Sequence, residues 1–115
     1  MIKKFIIMVT LILCLSFKTA EAETVLEGFY LTWYGQEAGD ITAIGTTPQS
    51  YYTIAVDPYI IPLGSYCTVI FPTGETYECR AEDTGGAIQG YIIDMYVDGA
   101  QWYWNNIDNV TIIIH

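Results

Sequence analysis

The stretch Cys67-Thr-Val-Ile-Phe-Pro-Thr-Gly-Glu-Thr-Tyr-Glu-Cys79 decides the architecture. Strand-forming residues flank Pro72-Thr73-Gly74, a three-residue turn with glycine at the position that needs a left-handed backbone. Pairing Phe71 with Glu75 sets Val69 against Tyr77 and Cys67 against Cys79. Both cysteines then point to one face of the hairpin. In a compartment that permits disulfides, a cross-strand Cys67–Cys79 bond follows from that register.

Outward from the hairpin, β-branched and aromatic residues dominate and helix signals are nearly absent. The pattern predicts strands at Gly28–Tyr34, Tyr51–Val56, Ser65–Phe71, Glu75–Glu82, Tyr91–Tyr96 and Val110–Ile114. Turn signals separate them at Gly35 to Asp40, Asp57-Pro58, Pro62-Leu63-Gly64, Pro72-Thr73-Gly74, Gly85-Gly86 and Asp98-Gly99. Only Ala100–Trp104 has the make-up of a short helical turn. Six short strands in so small a chain point to an all-β closed barrel, because closure leaves no exposed edge.

Composition narrows the function. The chain has 115 residues, with four Lys or Arg against thirteen Asp or Glu and a formal charge of −9. No basic stripe exists to displace counterions from phosphates, which argues against nucleic acid as a partner. The aromatic fraction of 15%, including ten Tyr and three Trp, is in the first place core, and it also suits a sugar-binding cleft or a sticky surface.

Residues 1–22 read as a secretory leader. Lys3 and Lys4 precede an apolar run from Phe5 to Phe17, too short for a bilayer crossing of roughly 20 residues. Ala20-Glu21-Ala22 is a small-x-small cleavage site. Leu13 stands before Cys14 where a lipoprotein would need a small residue. Cleavage leaves residues 23–115 as one domain with no stable membrane anchor, carrying twelve carboxylates against Arg80 alone, a formal −11.

The single histidine is terminal His115, which removes the base for a Ser-His-Asp or Cys-His mechanism and the usual zinc ligands. Carboxylates remain. Ile54-Ala-Val-Asp57-Pro58, Ile61-Pro-Leu-Gly-Ser65, Ala81-Glu-Asp83-Thr-Gly-Gly-Ala-Ile-Gln-Gly90 and Ile93-Asp94-Met-Tyr96 occur in that order. These four blocks closely resemble the 3D (three-aspartate) domain of MltA-type lytic transglycosylases and of small secreted relatives of the stationary-phase-survival and resuscitation-factor type. The named aspartates fall on Asp57, Asp83 and Asp94. The resemblance implies a six-stranded double-psi β-barrel and cleavage of the MurNAc–GlcNAc bond of peptidoglycan, leaving a 1,6-anhydro-muramyl end. It implies glycan strands as the partner, no cofactor or metal, a monomer, and a secreted or wall-associated location (the periplasm in a Gram-negative cell).

Such chemistry needs a carboxylic acid that is protonated near neutral pH. Asp94 occupies the least polar setting of any acid here, and on a strand it shares a face with Ile92 and Tyr96 while Ile93 and Met95 point away. The family assigns its acid/base to this third aspartate. For Asp83 two readings stand side by side: a cap for the Gly85-Gly86 turn, or a charge that lifts Asp94 and stabilises an oxocarbenium ion. Asp57 before Pro58 reads first as a turn starter and second as a cleft residue, and Glu82 as solvated. Gly85, Gly86 and Gly90 read as close-approach or positive-φ positions, with sugar contact secondary. Thr32, Tyr34, Thr84, Gln89 and Tyr96 complete the candidate cleft, and Trp33 suits core and cleft equally.

Two departures bear on substrate. Gln89 stands where the family usually has lysine, and the tail from Ala100 to Val110 lacks the common glycine–arginine pair. Two other classes compete. One is an expansin-like module that binds wall glycan without cutting it. The other is an aspartic protease dimer, from Asp83-Thr84-Gly85, which leaves the remaining blocks unexplained. N-terminal sequencing of exported protein should begin at Glu23; a first residue of Met1, or lipid on Cys14, would refute the leader reading.

Overall fold

The computed structural model describes residues 22–115; the apolar leader, Cys14 and most of the cleavage site lie outside the described residues. Six strands appear: β1 (Thr24–Tyr34), β2 (Thr53–Ala55), β3 (Tyr66–Ile70), β4 (Thr76–Asp83), β5 (Ile92–Tyr96) and β6 (Ile107–Ile114). They close into a barrel in the order β1-β5-β2-β4-β3-β6, consistent with a double-psi arrangement. The β1–β5 and β2–β4 pairs are parallel and the other four antiparallel. All six sequence-based strands are present. β2 is shorter than its apolar run, β1 and β6 start earlier, and Gln101–Trp104 closes a single turn by a 3.0 Å hydrogen bond.

Two-residue periodicity builds the core. Phe29 and Leu31, Cys67 and Val69, Cys79 and Ala81, Ile93 and Met95, and Val110 and Ile112 all point inward and are buried. A six-stranded barrel is too narrow for a lumen, so these side chains fill it. Cys79 and Ala81 keep β4 slim where bulkier residues converge from the other strands. Intervening residues face outward, so every polar group that could do chemistry on these strands sits on the barrel's outer wall.

The hairpin has the register read from sequence. Phe71 donates its N–H to Glu75 at 2.8 Å, Gly74 has φ +95°, and Val69 pairs with Tyr77 and Cys67 with Cys79. The disulfide does not follow: both thiols are free and buried. The Cys67 sulfur lies 3.9 Å from the Ser65 carbonyl and the Cys79 sulfur 3.6 Å from the Tyr51 carbonyl, so each turns to its own acceptor. Glu82 also departs from its solvated reading. It is 3% exposed, accepts the Thr53 hydroxyl at 2.7 Å and pairs with Arg80 at 3.6 Å.

Burial pushes the Cys67 thiol up to about 11 and the Cys79 thiol to about 12. Thiolate is the reactive form, so both should resist an alkylating agent at about pH 8 in the native state and react once the barrel is unfolded. Rapid alkylation of folded protein at these two positions would contradict the burial.

Candidate active site

Strand register places four residues in one row across the outer wall. Thr32 on β1 pairs with Asp94 on β5, Asp94 with Ala55 on β2, and Ala55 with Asp83 on β4. The last pairing depends on a bulge. Ile54 opposes Ala81, yet the next residue, Ala55, opposes Asp83, so Glu82 is the extra residue on β4. Bulges re-aim side chains. Here one lets two consecutive carboxylates avoid the apolar interior, Glu82 under Thr53 and Asp83 beside Ala55. Ala55, whose side chain is a single methyl, forms a low floor between Asp83 and Asp94. Tyr34, Ile88 and Tyr96 pack around it, with Ile92 at the margin, as a small second cluster.

Asp94 is half-buried and accepts the Thr32 hydroxyl at 2.8 Å. Burial holds its carboxyl above the ordinary range; the Thr32 hydrogen bond opposes this, while the Glu37 and Asp83 charges add to it. Asp83 combines its two readings. Its Oδ1 accepts the Ala43 and Thr84 amides at 3.1 and 3.0 Å, which secures the turn and the loop above it. Its Oδ2 accepts the Tyr34 hydroxyl at 3.1 Å on the side of the cluster that adjoins Asp94. Burial and the Asp83 charge raise the Tyr34 phenol well above its normal value, so it stays a donor.

Asp57 lies apart from this row. It accepts the Tyr59 amide at 2.9 Å and the Gly90 amide at 2.8 Å, stapling the Asp57–Ile61 turn to the end of the glycine loop. These bonds, Gly90 first, lower its pKa. Asp57, Thr84, Gly85 and Gln89 line a separate hollow of about 450 Å³ with Tyr59 and Ile88. A Cβ at Gly85 would lie 3.1 Å from Ile88 Cγ1, a tight contact that Ile88 would have to yield to, and Gly90 is favoured by its φ of +71°. Gly86 has neither constraint; its carbonyl accepts the Gln89 amide at 3.0 Å. Trp33 faces the barrel end in edge contact with Phe71 and Trp104 and donates to the Asn105 carbonyl at 2.9 Å, a core role.

Sequence reasoning missed Ala55 and Glu37. Glu37 sits in the one-turn 3-10 helix Gln36–Ala38, its carboxylate held by the Gly35 amide at 3.0 Å. It looked like part of a polar turn. The available signal was its position three residues after Tyr34, where the chain leaves the wall that carries Thr32.

The fold is that of an MltA-like barrel. MltA from E. coli is similar with a TM-score of 0.54 at 23% identity, covering 65% of this chain and 27% of that one. LtgG, a lytic transglycosylase of Burkholderia pseudomallei, gives 0.52 at 26% identity, covering 66% and 26%. Within this barrel, residues 52–104 match the family model of the 3D domain. The cell wall-binding protein YocH of Bacillus subtilis (strain 168) is 50% identical over 54 residues, 43% of this chain and 17% of YocH. The chain thus spans about a quarter of the two structural relatives and under a fifth of YocH.

Asp57 and Asp94 should affect stability with opposite signs. Asp94 has a raised folded pKa, so its ionisation disfavours the folded state as pH rises above the ordinary carboxylate range. Asp94→Asn should therefore raise the unfolding temperature at neutral pH, with the gain vanishing in acid. Asp57 has a lowered folded pKa, so its contribution is present above the unfolded value and lost as pH falls through the folded one. Asp57→Ala should lower the unfolding temperature at neutral pH, with the loss shrinking in acid. Melting curves across pH check both; a destabilised Asp94→Asn at neutral pH would contradict the burial argument.

Proposed function

We propose that the protein is an exported lytic transglycosylase acting on the MurNAc–GlcNAc bond of peptidoglycan, with Asp94 as its acid and base. The observation that carries this reading is the state of Asp94: a half-buried carboxyl with one hydroxyl donor and two carboxylates nearby, held above its ordinary pKa. Such a group can be a proton donor close to neutral pH. Further support comes from the 3D-domain match and from the lytic transglycosylase LtgG as a structural relative.

The chemistry needs one proton in transit. Protonated Asp94 gives its proton to the bridging oxygen as the C1–O bond breaks. Positive charge develops on C1 and the ring oxygen, opposite the Asp83 carboxylate that Tyr34 orients. The Asp94 carboxylate then takes the proton of the C6 hydroxyl while that oxygen bonds to C1, giving the 1,6-anhydro ring and restoring the acid. Thr32 holds Asp94 in place through both steps and gains strength as a donor when the carboxylate forms. Asp57, Thr84, Gly85, Gly86 and Gln89 bind neighbouring sugars, with the Gln89 amide replacing a cationic contact by a neutral one.

A second reading, wall binding without cleavage, is supported by the likeness to YocH, a cell wall-binding protein. Mass spectrometry of peptidoglycan treated with the purified protein separates the two. The transglycosylase releases anhydro-muramyl ends, a hydrolase would release reducing ends, and a binding module would release neither. Asp94→Asn should remain folded and lose on the order of a hundredfold or more in rate. Full activity in a folded Asp94→Asn protein would overturn the assignment.

A further inference from the structure

The segment that follows β5 carries three consecutive aromatic residues, and the fold uses one of them. Trp104 packs edge-on against Trp33 at 5.7 Å, and the Trp33 Nε1–H donates to the Asn105 carbonyl at 2.9 Å. Trp102 and Tyr103 reach into solvent instead, 93% and 65% exposed. Their rings meet edge to face at 5.8 Å and 85°. Single exposed apolar residues are ordinary on a surface. A Trp and a Tyr side by side are not, in a turn that glycine, serine or asparagine could make.

The pair is held from both sides. Ala100 donates its N–H to the Val97 carbonyl and Trp104 to the Gln101 carbonyl, each at 3.0 Å, and the Gln101 side-chain amide donates to the Gly99 carbonyl at 3.0 Å. The segment also abuts the wall that carries Asp94. Val97 donates to the Tyr34 carbonyl at 2.9 Å. A Cβ at Gly35 would lie 2.9 Å from Glu37 Oε2, 3.2 Å from the Val97 carbonyl oxygen and 3.5 Å from the Ala100 nitrogen. Gly35 thus joins the aromatic turn to Glu37, one of the two carboxylates whose charge reaches Asp94.

Charge and area decide what the pair could hold. Asp98 and Asp108 bracket the turn, and Arg80, the one Lys or Arg in residues 22–115, is engaged on β4 with Glu82 at 3.6 Å. Anionic polymers and anionic lipid surfaces are therefore repelled. Two aromatic side chains offer roughly 300–500 Å², below the ~800 Å² per partner of a stable protein interface. A neutral ligand with apolar C–H faces and hydroxyl edges fits both limits. A pyranose ring has these features. Its weakly positive C–H bonds lie against the negative face of an aromatic ring, and its hydroxyls meet the indole N–H and phenol O–H at the edge.

The geometry points to Trp102 and Tyr103 as a stacking platform for a neutral N-acetylglucosamine residue of a glycan strand, on the rim beside the Asp94 wall. The ligand class rests on the glycan reading above, but cleavage is not required: the platform holds a strand whether or not Asp94 cuts it.

Trp102 fluorescence reads the platform directly. In the purified protein acrylamide should quench Trp102 strongly, and a hexamer of N-acetylglucosamine should protect it. W102F keeps an aromatic face but removes this fluorophore, so it gives the signal of the half-buried Trp33 and Trp104 alone. Calorimetry with the same hexamer should show about tenfold weaker binding for W102A and little change for W102F, with both variants melting at the temperature of the unaltered protein. Hexamer binding that leaves Trp102 open to acrylamide would overturn the proposal, as would no binding, equal affinity in W102A, or a lowered melting temperature that assigns Trp102 to the fold. A dimer that W102A dissociates, or protection of Trp102 by phosphatidylcholine vesicles but not by the hexamer, would put a second copy or a membrane in place of the sugar and overturn it too. Failure of the cleavage reading looks different: peptidoglycan yields no anhydro-muramyl ends while the hexamer still protects Trp102.

Discussion

The narrowness of a six-stranded barrel governs everything else in this molecule. A closed wall with a filled interior admits only apolar side chains inward, and Phe29, Leu31, Ile54, Val69, Ile93, Met95 and Ile112 occupy that space. Chemistry is therefore confined to outward positions, where strand register decides which groups meet. Thr32, Asp94, Ala55 and Asp83 come from four strands far apart in sequence and lie side by side because the ladders fix them. On the wall that carries these residues, strict alternation is broken by the bulge at Glu82. Without it Asp83 would face the core, where an aspartate is costly.

Charge balance follows from the same geometry. With one arginine against twelve carboxylates in residues 22–115, most acids cannot be neutralised by pairing. Arg80 is spent on Glu82, the most buried acid. The others rely on hydrogen bonds or exposure, and Asp94 has little of either. Its neighbours Glu37 and Asp83 add like charge rather than relieve it. The low basic content that argues against nucleic acid also leaves an acid on this wall protonated above its usual range.

Most of the barrel was legible because its signals are local. Alternation marked the strands, Pro72-Thr73-Gly74 set the hairpin register, and the apolar setting of Asp94 singled it out. What escaped was non-local. That Glu82 would be buried depends on Thr53 and the 42–46 loop covering β4, contacts no strand pattern reveals. The thiols of Cys67 and Cys79 sit in register as read, yet side-chain rotation toward separate carbonyls is invisible in spacing alone. Glu37 reaches the site only because Gly35 turns the chain back over the wall, with its amide holding the carboxylate.

The three aspartates illustrate how one residue type is sorted by its donors. Asp57 accepts two backbone amides, which stabilise its charge and suit a staple between loops. Asp83 accepts two amides and a phenol, which orient it. Asp94 has a single hydroxyl donor, is half-buried, and has the Glu37 and Asp83 carboxylates nearby. A group that must give up a proton and reclaim it cannot be strongly stabilised in either state, because each excess donor deepens the charged form and raises the cost of reprotonation. Of the three, only Asp94 has so few donors, and its cross-strand partner is Ala55, a single methyl that adds no donor; that sorting is what the proposed acid/base role rests on.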